Sequence, residues 1–201
     1  MILNQWASLS SSCRSMRPSP DCIKKDTVRI LSESKGVITM NDISINRYAP
    51  GDEKDVLALI IPIQREEFGI EISAEDQPDL MQIQSFYQTG SGGFWLARRQ
   101  GEVIATIGLK DIGNGAVALR KMFVAASWRG REFGVAKQML ELIIQISKES
   151  GVRQIYLGTT EKFLAAHRFY EKHGFKLIER HNLPASFPLM LVDTRFYALV
   201  L

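Results

Sequence analysis

A chain of 201 residues, 45% of them hydrophobic and 23% charged, is long enough to bury one substantial core without staples. The formal net charge of +3 resides in residues 1–39, which hold six Lys/Arg against three Asp/Glu, while residues 40–201 hold nineteen of each; a folded part without basic excess argues against a nucleic-acid partner held by a broad electrostatic footprint. No apolar run approaches the roughly eighteen residues of a membrane span, both cysteines (Cys13, Cys22) precede Met40, and His167, His173 and His181 lack metal-ligand spacing, so neither a membrane, a disulfide framework nor a metal is expected.

Residues 1–39 are rich in Ser and Pro, lack periodicity and read as disordered. Two origins compete for them: a leader of transit-peptide composition, carrying Arg14, Arg17, Lys24 and Lys25, or a mis-assigned start ahead of a true Met40. The second is favoured, and the absence of a clean apolar stretch after a basic start argues against a secretory signal. From Met40 onward a single domain, residues 40–201, is expected.

Ile43 and Ile45 alternate as in a half-buried strand, and Val56, Leu57, Leu59 and Ile60 suggest a helix over residues 52–61. A second helix is predicted over residues 78–87. Residues 94–99 and 103–110 flank Gln100-Gly101, which suits a tight hairpin, and Gly113 and Gly115 turn the chain into a strand at 117–124. The longest helix, 133–150, places Val135, Met139, Leu142, Ile143 and Ile146 on one face and stops at Gly151. Strand 154–159 then runs parallel to 117–124, because a helical crossover joins them. Helix 161–173, strand 175–180 and a closing strand within 190–201 complete a mixed sheet.

The junction between strand 117–124 and the long helix is built to hold an anion. A helix N-terminus presents unpaired N–H groups and the positive end of the macrodipole, and small residues let a phosphate come close. Gly134 and Ala136 supply that access, Arg129 and Arg131 add positive charge around Gly130, and Glu132, Phe133 and Val135 offer backbone N–H groups. A nucleotide hydrolase loop is excluded, since Val135-Ala136 follow Gly134 where Lys and Ser or Thr would be needed.

The pattern Arg131-x-x-Gly134-x-Ala136 at such a junction, followed by Ala166-x-x-x-Tyr170-x-x-x-Gly174-Phe175, resembles the GNAT acetyltransferase superfamily, bacterial type. The resemblance covers residues 42–201, including a tail from Leu183 to Tyr197 similar to that of a bacterial subgroup. It departs at Phe163, where many members carry an Asn that contacts the coenzyme. It implies an α/β, single-domain GNAT-like fold: a mixed, mostly antiparallel sheet with splayed central parallel strands, flanked by helices. It further implies acetyl-CoA as co-substrate, with its pyrophosphate at residues 129–136 and its pantetheine arm along the backbone of Met122, Phe123 and Val124. The same resemblance implies that a primary-amine acceptor, in a small molecule, amino acid derivative or protein, attacks the thioester directly. Tyr170 then stands as general acid for the departing thiolate, while no general base is identifiable; the acidic stretch Glu66, Glu67, Glu71, Glu75, Asp76 and Asp79 is either an amine-attracting surface or a solvated helix face. A non-catalytic acyl-CoA sensor or interaction module is the alternative. A cytoplasmic monomer or homodimer is expected.

Overall fold

The computed structural model describes residues 42–201, so the expectations for residues 1–39 lie outside the described residues. Seven strands form one sheet in the order β1-β2-β3-β4-β5-β7-β6. β1 (Ile43–Arg47), β2 (Gly93–Arg99), β3 (Glu102–Gly113) and β4 (Ala116–Val124) make an antiparallel meander. The β2–β3 turn bears out the hairpin expectation: Gln100 and Gly101 both have positive φ, 50° and 88°, as a two-residue turn matched to strand twist requires. β5 (Gln154–Thr159) pairs parallel to β4 through the crossover helix α4 (Val135–Glu149), and β7 (Arg195–Val200) enters antiparallel between β5 and β6 (Lys176–Ile178).

Both faces of the sheet are covered. On one, Met139, Leu140 and Ile143 of α4 pack on Trp95, Ile107, Val117, Leu119 and Leu157. On the other, α1 (Glu53–Pro62), α2 (Pro78–Met81) and α3 (Ile83–Tyr87) bury Val56, Ile60, Leu80, Ile83 and Tyr87 against Phe94 and Leu96. A smaller cluster on Ala118 and Phe196 is closed by Phe187 from the loop before β7.

The strand expected over 175–180 is shorter, since a 3-10 turn, Arg180–Asn182, follows β6; four other boundaries differ from expectation, each for a local reason. α4 begins at Val135 because Gly134, at φ 60° and ψ 12°, is a left-handed N-cap, leaving Phe133 to pack edge-on against Trp128 at 5.1 Å. The helix expected over 78–87 breaks at Gln82 (φ −136°, ψ 43°). α1 runs into a π-helical turn, Ile63–Glu67, directly after Pro62, a residue with no N–H to continue the regular ladder. The last helix, α5, spans Leu164–Lys172, since Thr160 to Phe163 form a turn closed by the Phe163 N–H donating to the Thr160 carbonyl at 3.2 Å.

Candidate active site

The parallel pairing of β4 with β5 runs from Ala116 opposite Gln154 to Leu119 opposite Leu157 and stops there. Beyond it β4 follows β3 to Val124, while β5 follows β7 to Thr159, and the two ends separate into a slot. Ala125 N–H donates to the Ile104 carbonyl at 2.8 Å. By antiparallel alternation the backbone groups of Val124 and Met122 therefore face the slot instead of β3. The Val124 carbonyl accepts from Arg129 Nε at 2.8 Å. Side chains of Met122 and Val124 pack toward the α4 core and Phe123 toward the opposite one.

The loop between β4 and α4 opens with a 3-10 turn, Ala126–Trp128. Gly130 has φ 118°, and the Gly134 N–H donates to its carbonyl at 3.2 Å, closing the loop on itself. The first intrahelical bond is Gln138 N–H to Gly134 carbonyl, 3.0 Å, so the N–H groups of Val135, Ala136 and Lys137 precede any helical acceptor. Arg129, Gly130, Arg131 and Glu132 are exposed, Phe133, Gly134 and Ala136 half-buried, and Val135 is buried in the core. Oriented N–H groups at the start of a fifteen-residue helix, with Arg131 close in sequence, have the donors and the polarity that an anion needs. Arg129, by contrast, points its guanidinium at Glu67 with a two-pronged ion pair at 2.6 and 3.0 Å.

Tyr170, on α5, lies across the slot from β4. Its ring sits among Phe175, Phe169 and Tyr197, and its hydroxyl donates to Met122 Sδ at 3.7 Å, a weak acceptor. Burial raises its pKa above the ordinary phenol range, so the proton stays on the oxygen at neutral pH. His167, one turn earlier, turns away and donates from Nε2 to the Thr160 carbonyl at 3.0 Å. Phe163, at the position where the superfamily often has Asn, packs edge-on against Phe68 with centroids 4.3 Å apart, and Lys162 Nζ donates to the Phe68 carbonyl at 3.4 Å. Glu67 and Phe68 thus bridge from the β4 lip to the β5 lip.

The acidic stretch of the sequence does not act as one face. Glu67 pairs with Arg129, and Asp76 accepts from the backbone and hydroxyl of Ser73, both at 2.9 Å. Asp79 is buried at 5% exposure, where it accepts from the Tyr87 hydroxyl at 2.6 Å and pairs with Arg120 and Lys121, each at 3.4 Å. Lys121 Nζ donates to Gln77 Oε1 at 2.6 Å, and Gln77 Nε2 to Gln64 Oε1 at 3.0 Å. Asp193 lies near both cations and takes the Met190 N–H at 3.2 Å. Sequence reasoning missed Arg120, Lys121 and Asp193. Its available signal was two adjacent cations inside an otherwise apolar strand, where burial of an unpaired charge is costly.

Known proteins supply the comparison. The Acetyltransferase (GNAT) family description matches residues 57–175. The chain belongs to the GNAT acetyltransferase family. A solved GNAT acetyltransferase from Staphylococcus aureus Mu50 is 40% identical, with a TM-score of 0.75 over 79% of this chain and 98% of that one, which shows the α/β GNAT fold. The N-acetylaspartate synthetase of Xenopus tropicalis is 33% identical over 111 residues, 53% of this chain and 40% of that protein; the chain thus spans less than half the length of this curated relative. A GNAT acetyltransferase from Elizabethkingia anophelis, solved with acetyl-CoA bound, shares the fold at 20% identity and a TM-score of 0.55, over 80% of this chain and 99% of that one. Among the described residues no helix is long and apolar enough to cross a membrane.

Proposed function

We propose that this chain transfers the acetyl group of acetyl-CoA to a primary amine by direct attack. The observation that carries the reading is a coincidence at one slot. The cradle of N–H groups behind left-handed Gly134, a β4 edge at Met122 and Val124 that β5 leaves unpaired, and a phenol touching Met122 meet where two parallel strands part.

The diphosphate is held by the N–H groups that precede the first turn of α4 and by Arg131. The pantetheine arm lies along Met122 to Val124. The thioester supplies an activated acyl group, and the Val124 N–H, aimed into the slot, stabilises the oxyanion that develops when the amine attacks. Tyr170 donates to the departing sulfur. Because its proton is held more tightly than in a free phenol, it acts as a hydrogen-bond donor and relay, the proton gained by the thiolate being replaced from the ammonium formed on attack. Relatives named N-acetylaspartate synthetase agree with an acceptor of amino acid type.

The test is free-thiol release from acetyl-CoA across a panel of amines. Release should require both an amine and Tyr170, falling at least about 100-fold in Tyr170→Phe. Binding of acetyl-CoA without release in the presence of any amine would leave only a binding module.

A further inference from the structure

The anion cradle and the buried ion cluster lie on opposite faces of the sheet. Val117, Leu119, Met122 and Val124 pack on the α4 side, whereas Ala118 packs on the other. Strict alternation would then divide Arg120 and Lys121 between the faces. Both nevertheless meet Asp79 of α2. The cause is a β-bulge: Lys121 has φ 52°, the register with β3 shifts between Thr106 and Gly108, and Thr106 Oγ1 donates to the Lys121 carbonyl at 2.8 Å. A bulge inserts one extra residue and re-aims its side chain. Here it places two consecutive cations on one face at the lip of the slot, with side chains only 12% and 5% exposed.

Their partners leave two openings. Lys121 has three N–H donors and two acceptors, Gln77 and Asp79. Asp193 accepts the Met190 N–H on Oδ2, which leaves Oδ1 available. Asp193 also reaches the slot: its Oδ2, which keeps a lone pair beyond the one taken by Met190, stands where a β-carbon on Gly158 would be, and Gly158 lies on β5 just past the last residue paired with β4. One open donor and one open acceptor thus share a wall. Arg120 and Lys121 balance Asp79 and Asp193, so the wall is neutral. An ammonium alone would add a charge beside two buried cations. A zwitterion adds none.

Taking the thioester to reach the slot from the α4 face, as the acetyltransferase reading requires, we propose that the acceptor is an α-amino acid or a close analogue, its carboxylate held by Lys121 beside Arg120 and its ammonium received by the Asp193 carboxylate. Burial raises the pKa of Asp193, which suits a carboxylate that must take a proton from that ammonium before attack. The nitrogen then forms the bond to the acyl carbon as the carbon–sulfur bond breaks; the proton it sheds on attack passes through Tyr170 to the thiolate, and Asp193 returns the first proton to solvent.

The experiment measures kcat/KM for amino acids, their α-carboxamides and their decarboxylated amines in the intact chain. An amino acid should exceed both carboxylate-free counterparts by about 100-fold, the discrimination expected when a buried donor is left without its acceptor. Lys121→Met should erase that preference through KM, Lys121→Arg should restore part of it, and Asp193→Asn should lower kcat for every acceptor and remove the acidic limb of the pH profile. Thermal melts identify any variant that fails to fold, and the substrate ratios of the parent alone still decide the question. Equal or better turnover of amines lacking the carboxylate overturns the inference and leaves the acetyltransferase reading standing. Absence of thiol release with any amine overturns both.

Discussion

Gly134→Val separates the stability role of the phosphate cradle from its binding role. At φ 60° a β-branched residue pays a left-handed strain of about 2 kcal/mol, which for a domain of this size lowers Tm by roughly 4–8 °C. Its side chain also stands beside the N–H groups of Val135, Ala136 and Lys137, the donors that α4 leaves without helical acceptors. Losing two charge-assisted bonds at about 1.5–3 kcal/mol each weakens acetyl-CoA binding by roughly 3–6 kcal/mol, or 10²- to 10⁴-fold in Kd. Titration calorimetry with acetyl-CoA and with S-acetyl pantetheine distinguishes the two effects, because the second ligand carries the thioester and no diphosphate. Affinity for the fragment should hardly change. A folded Gly134→Val chain with the expected drop in Tm that still binds acetyl-CoA within twofold of the parent would falsify the placement of the diphosphate on this loop.

Tyr170→Phe should lower kcat about 10²-fold with little change in KM for acetyl-CoA; since burial holds the phenol above its ordinary range, the parent should show no loss of kcat between about pH 8 and pH 10 from ionisation of this group, and an alkaline limb there that vanishes in the variant would contradict the assignment. Asp79→Ala strands Arg120 and Lys121 in a site where their side chains are at most 12% exposed, and chemical denaturation should register a loss of about 3–5 kcal/mol; a change under about 1 kcal/mol would mean the cluster is wetter than its geometry implies. Glu67→Gln removes a pair whose members are 40% and 32% exposed, so stability should move by less than about 1 kcal/mol. With Arg129 released toward the loop, acetyl-CoA should bind a few-fold tighter at low salt, the gain fading as salt rises; unchanged affinity at every salt concentration would show that Arg129 contributes nothing to the anion.

What could be read from the chain before its structure follows from which signals are local. The two-residue hairpin at Gln100-Gly101, the amphipathic α4 and the Gly134 junction each depend on residues a few positions apart, and turn chemistry, helical periodicity and a missing side chain are written directly into such spans. The Phe163 departure was visible too, but not its meaning, because Phe68 lies 95 positions away in the chain and meets it only across the slot. Asp79 shows the same limit more sharply. Among five other acids in the stretch from Glu66 it reads as one more solvated carboxylate, yet Tyr87, Arg120 and Lys121 converge on it from α3 and β4. That convergence depends on Lys121 adopting φ 52°, an uncommon conformation for a residue other than glycine. Period-two reading assigns adjacent strand residues to opposite faces, so a single bulge inverts the inference for every residue on one side of it. Met122, Phe123 and Val124 were placed at the slot by the superfamily resemblance and not by the strand pattern. That pattern had no means of placing Arg120 and Lys121 together, and the side of the sheet facing the acceptor was therefore where sequence reasoning ran out.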